Sequence, residues 1–274
     1  FYTKWSGTKP SYITCKVATA CTTVEYKAGT RRYLERKRDL TIVANYGDQW
    51  SDLQGGHADH SVKLPNPTYY LPSANLPGKR QPTLAPRTTF TMAPDGSSGA
   101  YESGEGIPNI DSVKKTIATY YGDPGTGIAS KTTSPYISEV SAILRRQSAT
   151  LQSRYDRALR QHKGKRPTLV FDTDDTTLFT YDMEVKDMHF TFDPQLQDEW
   201  VQDQRFPATP AMTAYVRKAQ QIGYTIVGLT GRSAGQEAAT LKNLAKVGYG
   251  DAFTDANFYT KWSGTKPSYI TCKV

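Results

Sequence analysis

The sequence predicts an α/β fold: a Rossmann-like parallel sheet with helices on both faces. Three observations carry this. Short apolar runs at 40–46, 168–171 and 224–229 alternate with segments of helical periodicity. Each run ends in a polar turn bearing Asp or Thr, as strands do where they reach a ligand crevice. No stretch approaches the ~18 apolar residues that a membrane span needs, and hydrophobic residues make up 37% of the 274.

The elements follow in chain order. GTRRYLERKR reads as a basic helix whose Arg31, Arg32, Arg36, Lys37 and Arg38 form a solvated face. LTIVANYGD is a buried strand. Residues 62–110 are rich in Pro, Gly and Ser and read as extended surface chain and linker. PNIDSVKKTIATYYG, over 108–122, is a short amphipathic helix ended by Gly122. From Pro135, the residues Ile137, Val140, Ile143, Leu144, Leu151, Tyr155 and Leu159 lie on one face of a long helix that stops at Lys163-Gly164. RPTLVF is a buried strand. Residues 210–223 form a helix with Pro at its start and Gly at its end. YTIVGLTG is another buried strand, and SAGQEAATLKNLAKVG is a helix opened by Ser233 and Gln236 at capping-box spacing.

An internal repeat complicates this order. Residues 1–17 and 258–274 are the identical string FYTKWSGTKPSYITCKV. With only two copies, a solenoid is excluded. Reading 258–274 and continuing at Ala18 gives an uninterrupted sequence, as if a circle had been cut open with overlap. A single domain in permuted order is expected. In it one copy is docked, and the other is frayed, swapped or overlapping. The chain begins at Phe1 without Met or an apolar leader, so any signal peptide is expected to be removed or never included. Thirty-four Lys and Arg against 26 Asp and Glu give a net charge of +8, which favours anionic partners generally.

The chemistry sits at the strand ends. One strand ends in Asp172-Thr173-Asp174-Asp175-Thr176, the second in Thr230-Gly231-Arg232, and the third in Gly47-Asp48-Gln49-Trp50-Ser51-Asp52. Asp172, Asp174, Asp48 and Asp52 brought together would repel strongly unless a cation sits among them, and oxygen ligands of this kind suit Mg2+. A carboxylate beside such an ion can attack phosphorus, while a second one two residues on protonates the leaving oxygen and then activates water. Thr230, nearby amides and a Lys would stabilise phosphoryl charge. The turn at 231–233 also offers a helix N-terminus to an anion.

FDTDDTTL, FDPQLQDEWV, LTGR and GDQWSDLQGG…KLPNPTYY resemble the haloacid dehalogenase superfamily, and more closely its secreted acid phosphatases, the group that includes plant vegetative storage proteins. The resemblance covers most of 135–274 and 18–75. Residues 82–134 carry no motif. It implies a HAD-like fold with a small helical cap and Mg2+-dependent hydrolysis of small phosphomonoesters through an aspartyl-phosphate, in a secreted or cell-surface protein. By the same resemblance, Asp172 is the nucleophile and Asp174 the general acid/base. Thr230 and Lys27 hold the phosphoryl group, and Thr176, Gly231 and Arg232 line the substrate. Mg2+ is bound by Asp48, Asp52, the Asp172 side chain and the Asp174 backbone carbonyl. The family's order has the nucleophile first. Here Lys27 and Asp48 precede it, in keeping with the overlapping ends.

Other features are weaker. Asp175 is expected to be a bystander facing away from the metal. His57 and His60 in GGHADH give poor zinc spacing. No nucleic-acid motif is visible. Cys15 and Cys21 either pair, as the family's secreted habit suggests, or stay reduced. Tyr181, Met183, Phe190, Phe192 and Trp200 belong either to the core or to a cap. The alternatives to hydrolysis are phosphoryl transfer to an alcohol, or storage with a vestigial site. Dehalogenation does not use an acid/base such as Asp174.

Overall fold

The computed structural model describes residues 12–16, 22–66, 91–92, 99–100 and 110–261. In chain order these form α1 (Thr23–Lys37), β1 (Leu40–Gly47), α2 (Trp50–Leu53) and β2 (His60–Lys63). A short antiparallel pair, β3 (Thr91–Met92) and β4 (Gly99–Ala100), precedes α3 (Ile110–Tyr121), α4 (Pro135–Gln161) and β5 (Arg166–Phe171). The chain continues through α5 (Pro194–Gln202), α6 (Met212–Ile222), β6 (Thr225–Ser233), α7 (Glu237–Leu244) and β7 (Phe258–Lys261). The main sheet is wholly parallel, in the order β2-β1-β5-β6-β7. The α/β class and the three expected strands are therefore observed, with β1, β5 and β6 side by side at the centre.

Alternation along these strands divides the core between two faces. Ile42, Val170, Val227, Leu229 and Tyr259 pack with Tyr26 and Leu34 of α1 and with Ile13. Ala44, Tyr46, Leu169, Phe171, Ile226 and Phe258 pack with α3, α4, α6 and α7. Helices thus cover both faces, but unevenly: among the described residues α1 is the one helix in the smaller core cluster. Its start is a capping box. Thr22 Oγ1 accepts from the Glu25 amide at 3.2 Å, and Glu25 Oε2 accepts from the Thr22 amide at 2.6 Å. Glu25 Oε1 also accepts from the Lys16 amide at 2.8 Å, which ties residues 12–16 to the helix.

Several expectations are corrected. Arg31 is not on a solvated face; it is fully buried. Leu159 is 46% exposed, and Ala158 takes the buried position in the last turns of α4, because the stripe through Leu151 and Tyr155 continues at the next three-residue step. β2, α5 and β7 were not read from the sequence. β2 is four residues long with one buried side chain, too short and too polar for a periodic signal. β7 lies inside the duplicated segment. The expected linker over 62–110 falls mostly outside the described residues. So does most of the repeat: positions 12–16 of the first copy and 258–261 of the second are described, and no repeat position is described twice. Cys15 is disulfide-bonded, so it does not stay reduced; Cys21 lies outside the described residues. No described helix is long and apolar enough to cross a membrane.

The aromatic segment after β5 divides. Tyr181, Met183 and Trp200 are core, whereas Phe192 is 38% exposed and lines a cavity of about 450 Å3 with Asp187, Met188 and Leu196. Tyr181 is held from the loop after α3. Its hydroxyl donates to Asp123 Oδ2 at 2.9 Å, and the amides of Gly125, Thr126 and Gly127 donate to the same carboxylate. Burial pushes the Asp123 pKa up, but these donors outweigh it and leave it below the ordinary value. A depressed carboxylate pKa stabilises the fold above the unfolded value of about 3.9, and the contribution is lost as pH falls through the folded one. Asp123→Asn is therefore expected to lower the melting temperature at pH 7, and the gap from wild type should narrow steadily in melts taken below about pH 4.

Candidate functional site

The carboxyl ends of β1, β5 and β6 meet because the three strands are neighbours in register. Tyr46 pairs with Phe171, and Phe171 with Gly228. Asp172 follows at once, its amide donating to Tyr46 O at 3.1 Å, and Asp48 stands just beyond β1. Asp52 returns to the same point through the single turn of α2. Its amide donates to Gln49 O, and its Oδ2 accepts from the Gln49 amide at 2.9 Å. Gly47 permits this return, since a Cβ there would lie 2.5 Å from Asp52 Cβ.

Asp48, Asp52 and Asp172 are buried, and each presents an oxygen within 4.8 Å of the others. Lys27, buried on α1, donates to Asp172 Oδ1 at 2.6 Å and to Asp52 Oδ1 at 2.7 Å. Burial works against its charge, yet Asp172 and Asp52 hold its pKa above the ordinary lysine value. One cation does not balance three carboxylates. Burial pushes Asp172 up to about 7 against the pull of Lys27, with Asp52 and Asp174 adding to the rise. Asp48 is driven well above the ordinary range by burial and by Asp52, Asp172 and Asp175. An all-oxygen, buried, under-neutralised donor set of this kind suits a hard divalent cation. No other such cluster of His, Cys, Asp or Glu is found among the described residues, and His57 instead meets Glu35 at 2.9 Å.

Of the remaining expected residues, Thr176 reaches this cluster. Thr176 is fully buried, its Oγ1 3.5 Å from Asp48 Oδ1. Thr230 is fully buried and its Oγ1 accepts from the Arg232 amide at 3.2 Å, while Gly231 is exposed with nothing near its missing Cβ. The Asp174 side chain does not join the acidic cluster. It is ion-paired with Arg232, whose Nη2 reaches Oδ1 at 2.6 Å and whose Nε is 3.2 Å from both oxygens. The Arg232 side chain has no exposed surface. It also donates to Thr240 Oγ1 at 3.0 Å and lies 4.7 Å from the Phe206 ring centroid. Its observed partners are thus Asp174, Thr240 and Phe206, where contact with substrate had been expected.

Two supporting residues escaped the sequence reading. Arg31 donates to Asp52 O at 2.6 Å, Gln54 O at 2.5 Å and Gly56 O at 3.0 Å, and Asn45 Nδ2 also donates to Asp52 O at 2.8 Å. These bonds hold the α2 turn closed over the cluster. Burial lowers the Arg31 pKa to about 10, and Asp52 and Glu35 oppose the fall. An arginine inside a run of basic residues gives no sign of burial in its local composition. The spacing Lys27–Arg31, one helical turn, was the available signal.

Residues 6–72 and 128–266 match the family described as HAD superfamily, subfamily IIIB (Acid phosphatase), and the chain belongs to that family. Curated relatives include a stem 28 kDa glycoprotein of Glycine max, 52% identical over 50 residues, 18% of this chain and 19% of that protein. Vegetative storage protein 2 of Arabidopsis thaliana is 48% identical over 50 residues, 18% of each chain. Acid phosphatase 1 of Solanum lycopersicum is 47% identical over 51 residues, 18% of this chain and 20% of that one. The matches thus span about a fifth of these relatives' length. A class C acid phosphatase from Bacillus anthracis with tungstate bound superposes at a TM-score of 0.40 with 23% identity, over 54% of this chain and 57% of that one.

Gly47 provides a direct test of how the loop is built. Gly47→Ala is expected to cost about 1–3 kcal/mol in urea unfolding by forcing Asp52 and α2 outward. Alanine at the exposed Gly231 is the control and should leave the unfolding midpoint close to wild type.

Proposed function

We propose that this chain is a divalent-cation-dependent acid phosphatase that hydrolyses small phosphomonoesters through an aspartyl-phosphate at Asp172. The observation that carries the reading is the buried meeting of Asp48, Asp52 and Asp172 beside Lys27 at the carboxyl ends of adjacent strands, in a chain of this family. Asp48, Asp52 and Asp172, with the Asp174 carbonyl, would hold Mg2+, which when bound supplies charge neutralisation at the phosphoryl group.

The protein's own groups take the following parts. An Asp172 carboxylate oxygen forms a bond to phosphorus as the bond to the leaving oxygen breaks, and Asp174 gives that oxygen its proton. Asp174 then takes a proton from water, whose oxygen attacks phosphorus and frees the Asp172 carboxylate and inorganic phosphate. Arg232 fixes Asp174 in place for both transfers. Lys27, Thr176, Thr230 and the peptide of Gly231 face the phosphoryl oxygens, and Arg232 borders the substrate through its grip on Asp174. Lys27 of α1 and the strand-end residues Asp48 and Asp172, far apart along the chain, meet at one edge of the sheet, which supports one domain in permuted order. The disulfide at Cys15 supports an oxidising compartment, hence secretion or the cell surface.

Storage is the second reading, favoured by the names of the Arabidopsis relatives. Turnover separates the two. Asp172→Asn is expected to reduce hydrolysis of p-nitrophenyl phosphate by about a thousandfold or more while the far-UV spectrum is kept. Full activity in that variant overturns the aspartyl-phosphate, and an inactive wild type favours storage. Inclusion of an alcohol acceptor, followed by product analysis, separates hydrolysis from phosphoryl transfer.

Loading the site should also stabilise the fold, since a cation bound to the native state alone adds about 2.7 kcal/mol at a hundred times its dissociation constant. A melting temperature that rises with Mg2+ and falls back with a chelator is expected. One indifferent to both removes the cation from the mechanism.

A further inference from the structure

Asp175 and Asn66 lie just outside the catalytic constellation, and the reaction above uses neither. Both touch it. Asn66 Nδ2 donates to Asp48 Oδ2 at 2.6 Å and to Asp175 Oδ2 at 3.0 Å. Asp175 is buried and is itself pinned from behind: Thr180 donates through its amide to Oδ1 at 2.9 Å and through Oγ1 to Oδ2 at 2.5 Å. Asp175 has a left-handed backbone, with φ 48°, and its carboxylate is turned onto Thr180 and Asn66. Asn66 arrives from the other side of the site, at the end of β2, where the Leu64 amide donates to Gly47 O at 2.9 Å. It stands between Pro65 and Pro67, and a residue before proline is confined to extended backbone.

We propose that Asn66 and Asp175 are positioning residues that set the Asp48 carboxylate for cation binding. The proposal rests on the reading of Asp48 as a cation ligand. Chemistry explains why an asparagine serves here. A primary amide has two protons and no charge, so it can donate to two carboxylates at once, and Asp48 and Asp175 are like charges in a buried region. An aspartate in its place would add a third negative group, and an alanine would leave Asp48 Oδ2 without this donor. With Oδ2 held by Asn66, Oδ1 is the oxygen toward Thr176. Groups bonded to a metal's ligands orient them and raise affinity. Thr180, Asp175, Asn66 and Asp48 form such a relay, running from the loop after β5 to the loop after β1. Asp175 is accordingly more than the bystander expected of it, since one Asn66 nitrogen joins its carboxylate to that of Asp48.

Calorimetric titration of Mg2+ into metal-free protein tests the relay without depending on activity. Asn66→Ala is expected to weaken Mg2+ binding by about 10–100-fold, as removal of such supporting groups does. At saturating Mg2+ its KM for p-nitrophenyl phosphate should match wild type and its kcat should largely recover. Thr180→Val, nearly the same shape and remote from the cation, should weaken binding less but in the same direction, and it decides the matter if Asn66→Ala does not fold. Wild-type Mg2+ affinity in the folded variants overturns the relay, as does an activity loss that excess Mg2+ leaves unchanged or a wild type that binds no Mg2+. A wild type that binds Mg2+ but hydrolyses no phosphomonoester removes the phosphatase reading alone, and the affinity comparison still decides the relay.

Discussion

Three carboxylates and one ammonium, buried together, are the constraint around which the rest of the protein is arranged. Charge is costly to bury, and like charges in a low-dielectric site repel. The fold offsets that cost at several points. Lys27 bridges Asp52 and Asp172, Asn66 bridges Asp48 and Asp175, and backbone amides cap Asp52 and Asp175. What remains is excess negative charge with oxygen donors around it. The geometry is strained electrostatically in the direction that a small hard cation relieves. A site assembled for a different ion chemistry would show imidazole or thiolate among its donors.

Two buried arginines play matching parts on either side of the cluster. Arg31 satisfies three carbonyls and so holds the turn that carries Asp52. Arg232 satisfies Asp174 and Thr240 and leans on Phe206. Each spends a rigid, multiply donating fork on acceptors that would otherwise be left dry. Arg31 reaches the cluster only through the Asp52 backbone, and Arg232 holds Asp174 beside it; loss of the first would free the Asp52 turn, and loss of the second would free Asp174.

Much of this was legible in the sequence. Apolar runs fixed the three central strands, and the Asp and Thr residues after them marked the crevice, because strand ends in a parallel sheet share one edge. The signal failed where length or context was short. β2 has four residues, and Phe258–Lys261 was hidden by duplication. Arg31 looked like one more charge in a basic stretch, since local composition says nothing of what a helix packs against. Asn66 sits in a Pro-rich stretch whose composition reads as linker. Its partners are 18 and 109 residues away, a separation that no local pattern encodes.

The register of β6 bears on the end of the strand that carries Thr230, Gly231 and Arg232. β6 pairs with β5 as far as Gly228 and with β7 at Gly228, Leu229 and then Ser233. Between those rungs, Thr230, Gly231 and Arg232 are skipped by both neighbours. A segment released from its ladder keeps extended direction while its amides take other partners, as the Arg232 amide does with Thr230 Oγ1. The Thr230–Arg232 contact is thus a property of interrupted pairing, and restoring the missing rungs would compete with it for the same amide.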